Sequence, residues 1–142
     1  MKLIDANVLI YGVNVASPMH GRARAWLEAA FTGDEAVGLP WVVMLAFLRL
    51  TTNARILPRP LTAEQATSLV DGWLALPNVV ALDAGDDHWN TLKALLSETG
   101  TAGNLTTDAH LAALALEHDC ELCSTDADFA RFPRLKWVNP LR

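Results

Sequence analysis

Residues 1–11, MKLIDANVLIY, decide how the rest of the chain is read. Leu3, Ile4, Val8, Leu9, Ile10 and Tyr11 belong in a hydrophobic core, yet Asp5 and Asn7 interrupt them. An isolated carboxylate there costs on the order of several kcal/mol unless something pairs with it. KLID predicts a short strand and the residues from about Asn7 a helical turn, which puts Asp5 at the strand's carboxyl end. An apolar strand gives that acid no local reason to exist.

Working outward, strand and helix patterns alternate. HGRARAWLEAAF has helical spacing, with Ala23, Trp26, Leu27 and Ala30 on one face. AVGLP reads as a second strand, and Pro40 suits the first turn of a helix through WVVMLAFLRLTTN. Thr62 and Gln65 form a capping box for TAEQATSLVDGWLAL, which Pro77 and Asn78 end before the strand NVVAL. A helix from about Asp86 to Glu98, a glycine-bearing loop and a helix DAHLAALALEH capped by Thr106 or Thr107 follow. ELCS, the turn DADFARF and a last strand KWVN complete the series. Strands separated by helices predict right-handed crossovers, hence one α/β domain over 1–142 with a parallel sheet covered on both faces.

In such a sheet ligands bind beyond the carboxyl ends of the strands. Asp5 closes the first strand and Asp126 follows ELCS, so pairing of those strands would bring the two carboxylates together. Asp128 lies in the turn just beyond, and Asp108 in the first turn of its helix. Singly, Asp108 is an ordinary helix-start acid and Asp126 and Asp128 are ordinary turn formers. Gathered, they repel one another unless a cation is present. Hard oxygen ligands in an open cluster suit Mg²⁺ or Mn²⁺, which keep waters for substrate phosphates to replace. Such ions activate water and stabilise the leaving oxygen of a phosphodiester.

The bulk properties agree with a folded domain. Hydrophobic residues make up 51% of the 142 and charged residues 19%. The apolar runs are too short to span a bilayer, and the first one lacks a secretory cleavage pattern, so the expected compartment is the cytoplasm with no membrane partner. The net charge of −5 speaks against indiscriminate nucleic-acid binding, but setting aside the four acids brings it to −1. Cys120 and Cys123 form a lone CELC without the second ligand pair of a zinc ribbon and read as buried thiols. His20, His88, His110 and His118 are scattered, with packing roles expected, and the five tryptophans are expected in core or interface.

LIDANVLIY, FLRLTTN, GNLTTDAHLAALALEH, STDADFARF and LKWVNPL, in that order and spacing, resemble a PIN domain and, more narrowly, the VapC toxins of toxin–antitoxin pairs. The resemblance runs over nearly the whole chain. It implies a three-layer α/β/α fold and a Mg²⁺- or Mn²⁺-dependent endoribonuclease cutting structured RNA, either transfer or ribosomal. It also implies a homodimer held in check by a cognate VapB-type antitoxin. By position Asp5, Asp108 and Asp126 match the family's metal-binding acids, with Asp128 an additional catalytic acid, and Asn7 and Thr125 match supporting polar positions. Arg49 and Arg55 are the expected RNA handles, followed by Arg59, Arg22 and Arg24. The family's second acid, a glutamate before Phe-Leu-Arg, is replaced here by Ala46. That departure predicts a weakened or inactive nuclease, whether natural or introduced. Two other readings stand beside this one: a non-catalytic PIN-fold binding module, and a receiver- or phosphatase-type phosphotransfer domain using Asp83.

Overall fold

The computed structural model describes residues 1–142. Its strands are β1 (Lys2–Ile4), β2 (Val37–Pro40), β3 (Val79–Leu82), β4 (Glu121–Cys123) and β5 (Trp137–Val138). Its helices are α1 (Ala6–Val13), α2 (His20–Thr32), α3 (Trp41–Thr51), α4 (Ala63–Leu74), α5 (His88–Thr99) and α6 (Thr106–Glu117). Single 3₁₀ turns at Gly103–Leu105 and Ala127–Arg131 lead into α6 and out of β4.

The five strands form one sheet in the order β3-β2-β1-β4-β5, and every neighbouring pair is parallel. The expected α/β/α arrangement is therefore present, with α1 to α4 packed among themselves and α5 against α6. The central strand is short and fully committed to the core: Leu3 and Ile4 have no exposure at all. Parallel pairing of β1 with β4 makes Asp5 and Ser124 neighbours although 119 residues separate them, and the Asp5 N–H extends the ladder to the Cys123 carbonyl at 3.0 Å.

Several local expectations are met for the expected reasons. The Thr62–Gln65 box caps α4 with both reciprocal bonds in place, at 3.1 and 2.9 Å. Ala23 and Leu27 bury the inner face of α2, and Gly12 on α1 lets that face approach so closely that a β-carbon there would strike Leu27.

Others are corrected. Thr106 and Thr107 do not cap α6: the 3₁₀ turn runs directly into the helix, Leu105 stands at the cap, and both threonines lie inside. Pro40 ends β2 in extended geometry and caps α3 instead of entering it. Trp41 and Trp89 are 51% and 65% exposed, so of the core or interface places expected for the tryptophans these two do not take the core. Met44 and Phe47, which share α3 with Trp41, are fully buried. Asp83 follows β3, an edge strand, and its carbonyl accepts from His118 Nε2 at 3.0 Å. A receiver needs its acid beyond a central strand; here the central strand ends in Asp5 instead.

Candidate metal centre

The site is assembled where β1 and β4 end side by side. Asp5 adopts the extended conformation before α1 and its Oδ1 accepts the Ala6 N–H at 2.7 Å, so the acid is also the helix cap. Its Oδ2 accepts the Ser124 hydroxyl at 2.7 Å and the Asn7 amide at 3.3 Å. Asn7 in turn donates to Ser124 Oγ at 3.0 Å and accepts the Thr125 N–H at 3.2 Å. Ser124, which has no exposure, also accepts the Asp126 N–H at 3.1 Å. Asp126 Oδ1 accepts the Asp128 N–H at 2.9 Å and so folds the next turn back over the rim.

Asn7 and Thr125 therefore both join this network, but Thr125 does so through its backbone. The hydroxyl that binds the acids is Ser124, which the reading of the sequence passed over. The clue was available: Ser124 closes an otherwise apolar strand, as Asp5 does, and a buried hydroxyl needs a partner.

One carboxylate oxygen from each of Asp108, Asp126 and Asp128 lies within 4.8 Å of the others. The expected set was Asp5, Asp108 and Asp126. Asp128 joins Asp108 and Asp126 in that group, while Asp5 lies beside it with both oxygens accepting from protein donors. Asp5 still sits close enough to be felt. Burial raises its pKa, the Ser124 and Ala6 bonds lower it, and the charge on Asp126 raises it further. Asp108 is pushed up to about 6, first by burial and then by the charges of Asp126, Asp5 and Asp128. Carboxyl groups that crowd until one holds its proton near neutrality are a donor set short of positive charge. All donors are hard oxygens, so the set fits Mg²⁺ or Mn²⁺ and not a thiolate-seeking ion.

No hydrogen bond or ion pair ties the remaining sequence candidates to these acids. Ala46 is half-buried on α3, which packs against α1, the helix that Asp5 caps. Arg49, Arg55 and Arg59 are exposed on α3 and the loop after it. The histidines are not all scattered: His88 contacts both Glu117, at 2.7 Å, and His110, at 2.8 Å. The cysteines are both free and buried, and burial pushes the Cys123 thiol up to about 12, which leaves it inert.

A parallel sheet whose central strand ends in Asp5, with Asp108, Asp126 and Asp128 gathered beside it, makes the molecule an α/β domain with an acidic rim. The PIN domain family model matches residues 2–135. Ribonuclease VapC37 of Mycobacterium tuberculosis is 45% identical over 140 residues, covering 99% of this chain and 97% of that one. Ribonuclease VapC33 of the same organism is 44% identical over 142 residues, covering 100% and 99%. The chain belongs to the PIN-domain family, among its VapC members. Two solved structures share the fold. VapBC2 from Rickettsia felis, bound to a DNA fragment from its promoter, superposes with a TM-score of 0.70 at 16% identity over 96% of each chain. Mycobacterium tuberculosis VapC20, described as a Sarcin-Ricin loop cleaving toxin, gives 0.70 at 15% identity over 96% of this chain and 98% of that one.

Proposed function

We propose that this chain is the toxin of a VapBC-type pair, a Mg²⁺- or Mn²⁺-dependent endoribonuclease acting on structured RNA in the cytoplasm. The observation that carries the reading is the acid rim itself: Asp108, Asp126 and Asp128 converge over an Asp5 held by Ser124 and Asn7. Relatives at 44–45% identity over essentially the whole chain are named ribonucleases, which supports the same reaction here.

Asp108, Asp126 and Asp128 would hold the ion, which when bound supplies water activation and charge for the phosphodiester's leaving oxygen. Asp5 joins them as the first expected ligand, and its bonds to Ser124 and Ala6 fix its carboxylate where β1 and β4 end. Ser124 orients two acids at once, because its hydroxyl donates to Asp5 while its oxygen accepts from the Asp126 backbone. Arg49 and Arg55, exposed on the α3 side, are placed to draw RNA phosphates toward an otherwise acidic surface. The RNA is of transfer or ribosomal type.

A further solved structure of this fold is a toxin–antitoxin complex from Klebsiella pneumoniae, with a TM-score of 0.65 at 20% identity over 99% of this chain and 98% of that one, and a VapB-type antitoxin is the expected partner here. Trp41 and Leu45, 51% and 60% exposed one turn apart on α3, suit a face covered in a homodimer or by that antitoxin.

Ala46 sets the activity. A glutamate there would add a carboxylate beside α1, and without it cleavage is weakened, by about a hundredfold for a lost contribution of a few kcal/mol. The test is mapping of RNA ends after expression without antitoxin. Ala46→Glu should produce discrete cuts and growth arrest, the unaltered chain far fewer, and Ala46→Glu with Asp126→Asn none. If Ala46→Glu cuts no RNA while binding Mn²⁺, the non-catalytic binding module, which the missing glutamate itself favours, becomes the correct reading.

A further inference from the structure

Helix α6 carries Asp108 in its first turn, yet little in its apolar pattern fixes how the helix is rotated. Ala109, Leu111, Ala112, Ala113, Leu114 and Ala115 are all buried, so the apolar surface wraps around the helix instead of forming a stripe. A stripe locks rotation because turning the helix exposes it; a helix apolar nearly all round, and mostly alanine there, pays little for a turn. Rotation nevertheless matters to the acids. At about 100° per residue, a slip of one residue would swing the Asp108 carboxylate out of the group it forms with Asp126 and Asp128.

The one polar feature spanning this helix is a chain of three side chains between α5 and α6. His88, at the start of α5, bonds Glu117 Oε2 through Nδ1 at 2.7 Å and His110 Nδ1 through Nε2 at 2.8 Å. His110 and Glu117 are seven residues apart, hence on one face of α6 two turns apart. His88 and Glu117 are nearly enclosed, with side-chain exposures of 12% and 13%. The second Glu117 oxygen, Oε1, is buried without any hydrogen-bond partner, so this carboxylate depends on His88 alone. The carboxylate keeps a proton on His88 Nδ1, which in the neutral ring leaves Nε2 to accept from His110 Nδ1–H. Both bonds can be made only at one rotation of α6.

We infer that His88 and Glu117 are positioning residues: by bridging two turns of α6 they set its rotation and thereby aim Asp108 at the cation. Neither residue touches the acids. The inference rests on the cation-site reading above, and goes beyond it in assigning part of that site's geometry to a polar bridge on another face of α6. A buried polar network that is fully specific but energetically costly is a known means of choosing one packing among several.

The experiment measures Mn²⁺ binding by calorimetry and unfolding by circular dichroism on four chains. In His88→Leu with His110→Leu and Glu117→Leu, the seam becomes wholly apolar. Its thermal midpoint should be unchanged or higher, because no buried polar group is left unpaired, while Mn²⁺ affinity falls about tenfold. A merely structural bridge would move both in the same direction. His88→Leu alone should lose the affinity together with some stability. His88→Gln, whose amide can donate to Glu117 and accept from His110, should retain affinity within about twofold of the unaltered chain. Triple-leucine and His88→Leu chains that bind Mn²⁺ as the unaltered chain does overturn the inference. Should the triple variant fail to fold, equal affinities in His88→Leu and His88→Gln overturn it. If the unaltered chain binds no Mn²⁺, the cation-site reading falls first and takes this one with it.

Discussion

The two ends of β1 treat charge in opposite ways. At its amino end the Met1 amino group lies 3.5 Å from Glu35, and Lys2 reaches Glu35 at 3.1 Å and Glu121 at 3.6 Å. Positive and negative groups alternate there, and their mutual attraction raises the Lys2 pKa and lowers that of Glu35, chiefly through the bond between them. At the carboxyl end, three residues later, acids meet acids with no lysine or arginine bonded to them. Burial and repulsion push Asp5 and Asp108 in the opposite direction from Glu35. One end is balanced by the chain itself; the other gathers acids that the chain leaves uncompensated. A strand of three residues is thus both a core element and the divider between a structural pole and a functional one.

The largest expected effect lies at the acid pole. Asp126→Asn should weaken Mn²⁺ binding by about a hundredfold, the equivalent of about 3 kcal/mol, since it removes a charged ligand from a small set. In the absence of the ion the same variant should unfold at the same or a higher temperature, because like-charge repulsion is relieved. Calorimetry and thermal unfolding of one preparation check both. An unfolding midpoint that drops sharply without metal would make the acid structural and erase the contrast between the poles.

Ser124→Ala comes next. The buried Asp5 oxygen and the Asp126 N–H each lose a partner, which should cost about 1–3 kcal/mol and lower the unfolding midpoint by several degrees. Mn²⁺ affinity should fall about tenfold, as removal of a ligand's supporting partner does. Thr125→Ala, whose contribution to the network is made by its backbone, should change neither.

The pH dependence sharpens the comparison further. The folded pKa of Asp108 is raised to about 6 from 3.8. Between those values the folded chain holds a proton that the unfolded chain has released, so its contribution to stability falls as pH rises. It is fully present below pH 3.8 and lost once pH passes about 6. Asp5 acts with the same sign. Added Mn²⁺ should therefore raise the unfolding midpoint more at pH 7.5 than at pH 5. An ion-induced shift that is larger at pH 5 would mean the acids are not the site.

The smallest effect belongs to the balanced pole. Lys2→Ala should cost less than about 1 kcal/mol, because its pairs with Glu35 and Glu121 are partly exposed and screened by salt. Mn²⁺ affinity should not move, as calorimetry at matched ionic strength would show.

How much of this could be read from the residues follows from where each signal is written. Asp5 was conspicuous because it contradicts its own surroundings, whereas its approach to the Asp126 turn depended on β1 and β4 being neighbours, a strand order that alternation alone does not fix. The parallel sheet was equally open to reading, since every strand is bounded by helical periodicity or turn residues. What stayed hidden depends on side-chain direction. Whether Ser124 or Thr125 carries the hydroxyl that matters is decided by the pleat at the end of β4, which alternates with each residue. The same holds for Asp5, whose presence was evident but whose oxygens turn inward. Exposure of Trp41 beside buried Met44 and Phe47 depends on which part of α3 the other helices cover, and hydrophobicity alone does not report it. His88, His110 and Glu117 come together only through the packing of α5 on α6, and 22 and 29 residues separate the partners.

The bond between Asp5 and Ser124 joins residues 119 apart in a chain of 142. Time therefore enters the design. At about 5–20 residues per second, roughly 6–24 s pass between the synthesis of the first and of the second. Throughout that interval Asp5 exists without its partner, and β4 is not complete. A message cut short between codons 108 and 124 yields a product with Asp5 and Asp108 but neither Asp126 nor the Ser124 hydroxyl. Interrupted synthesis leaves a blank instead of a fraction of the site.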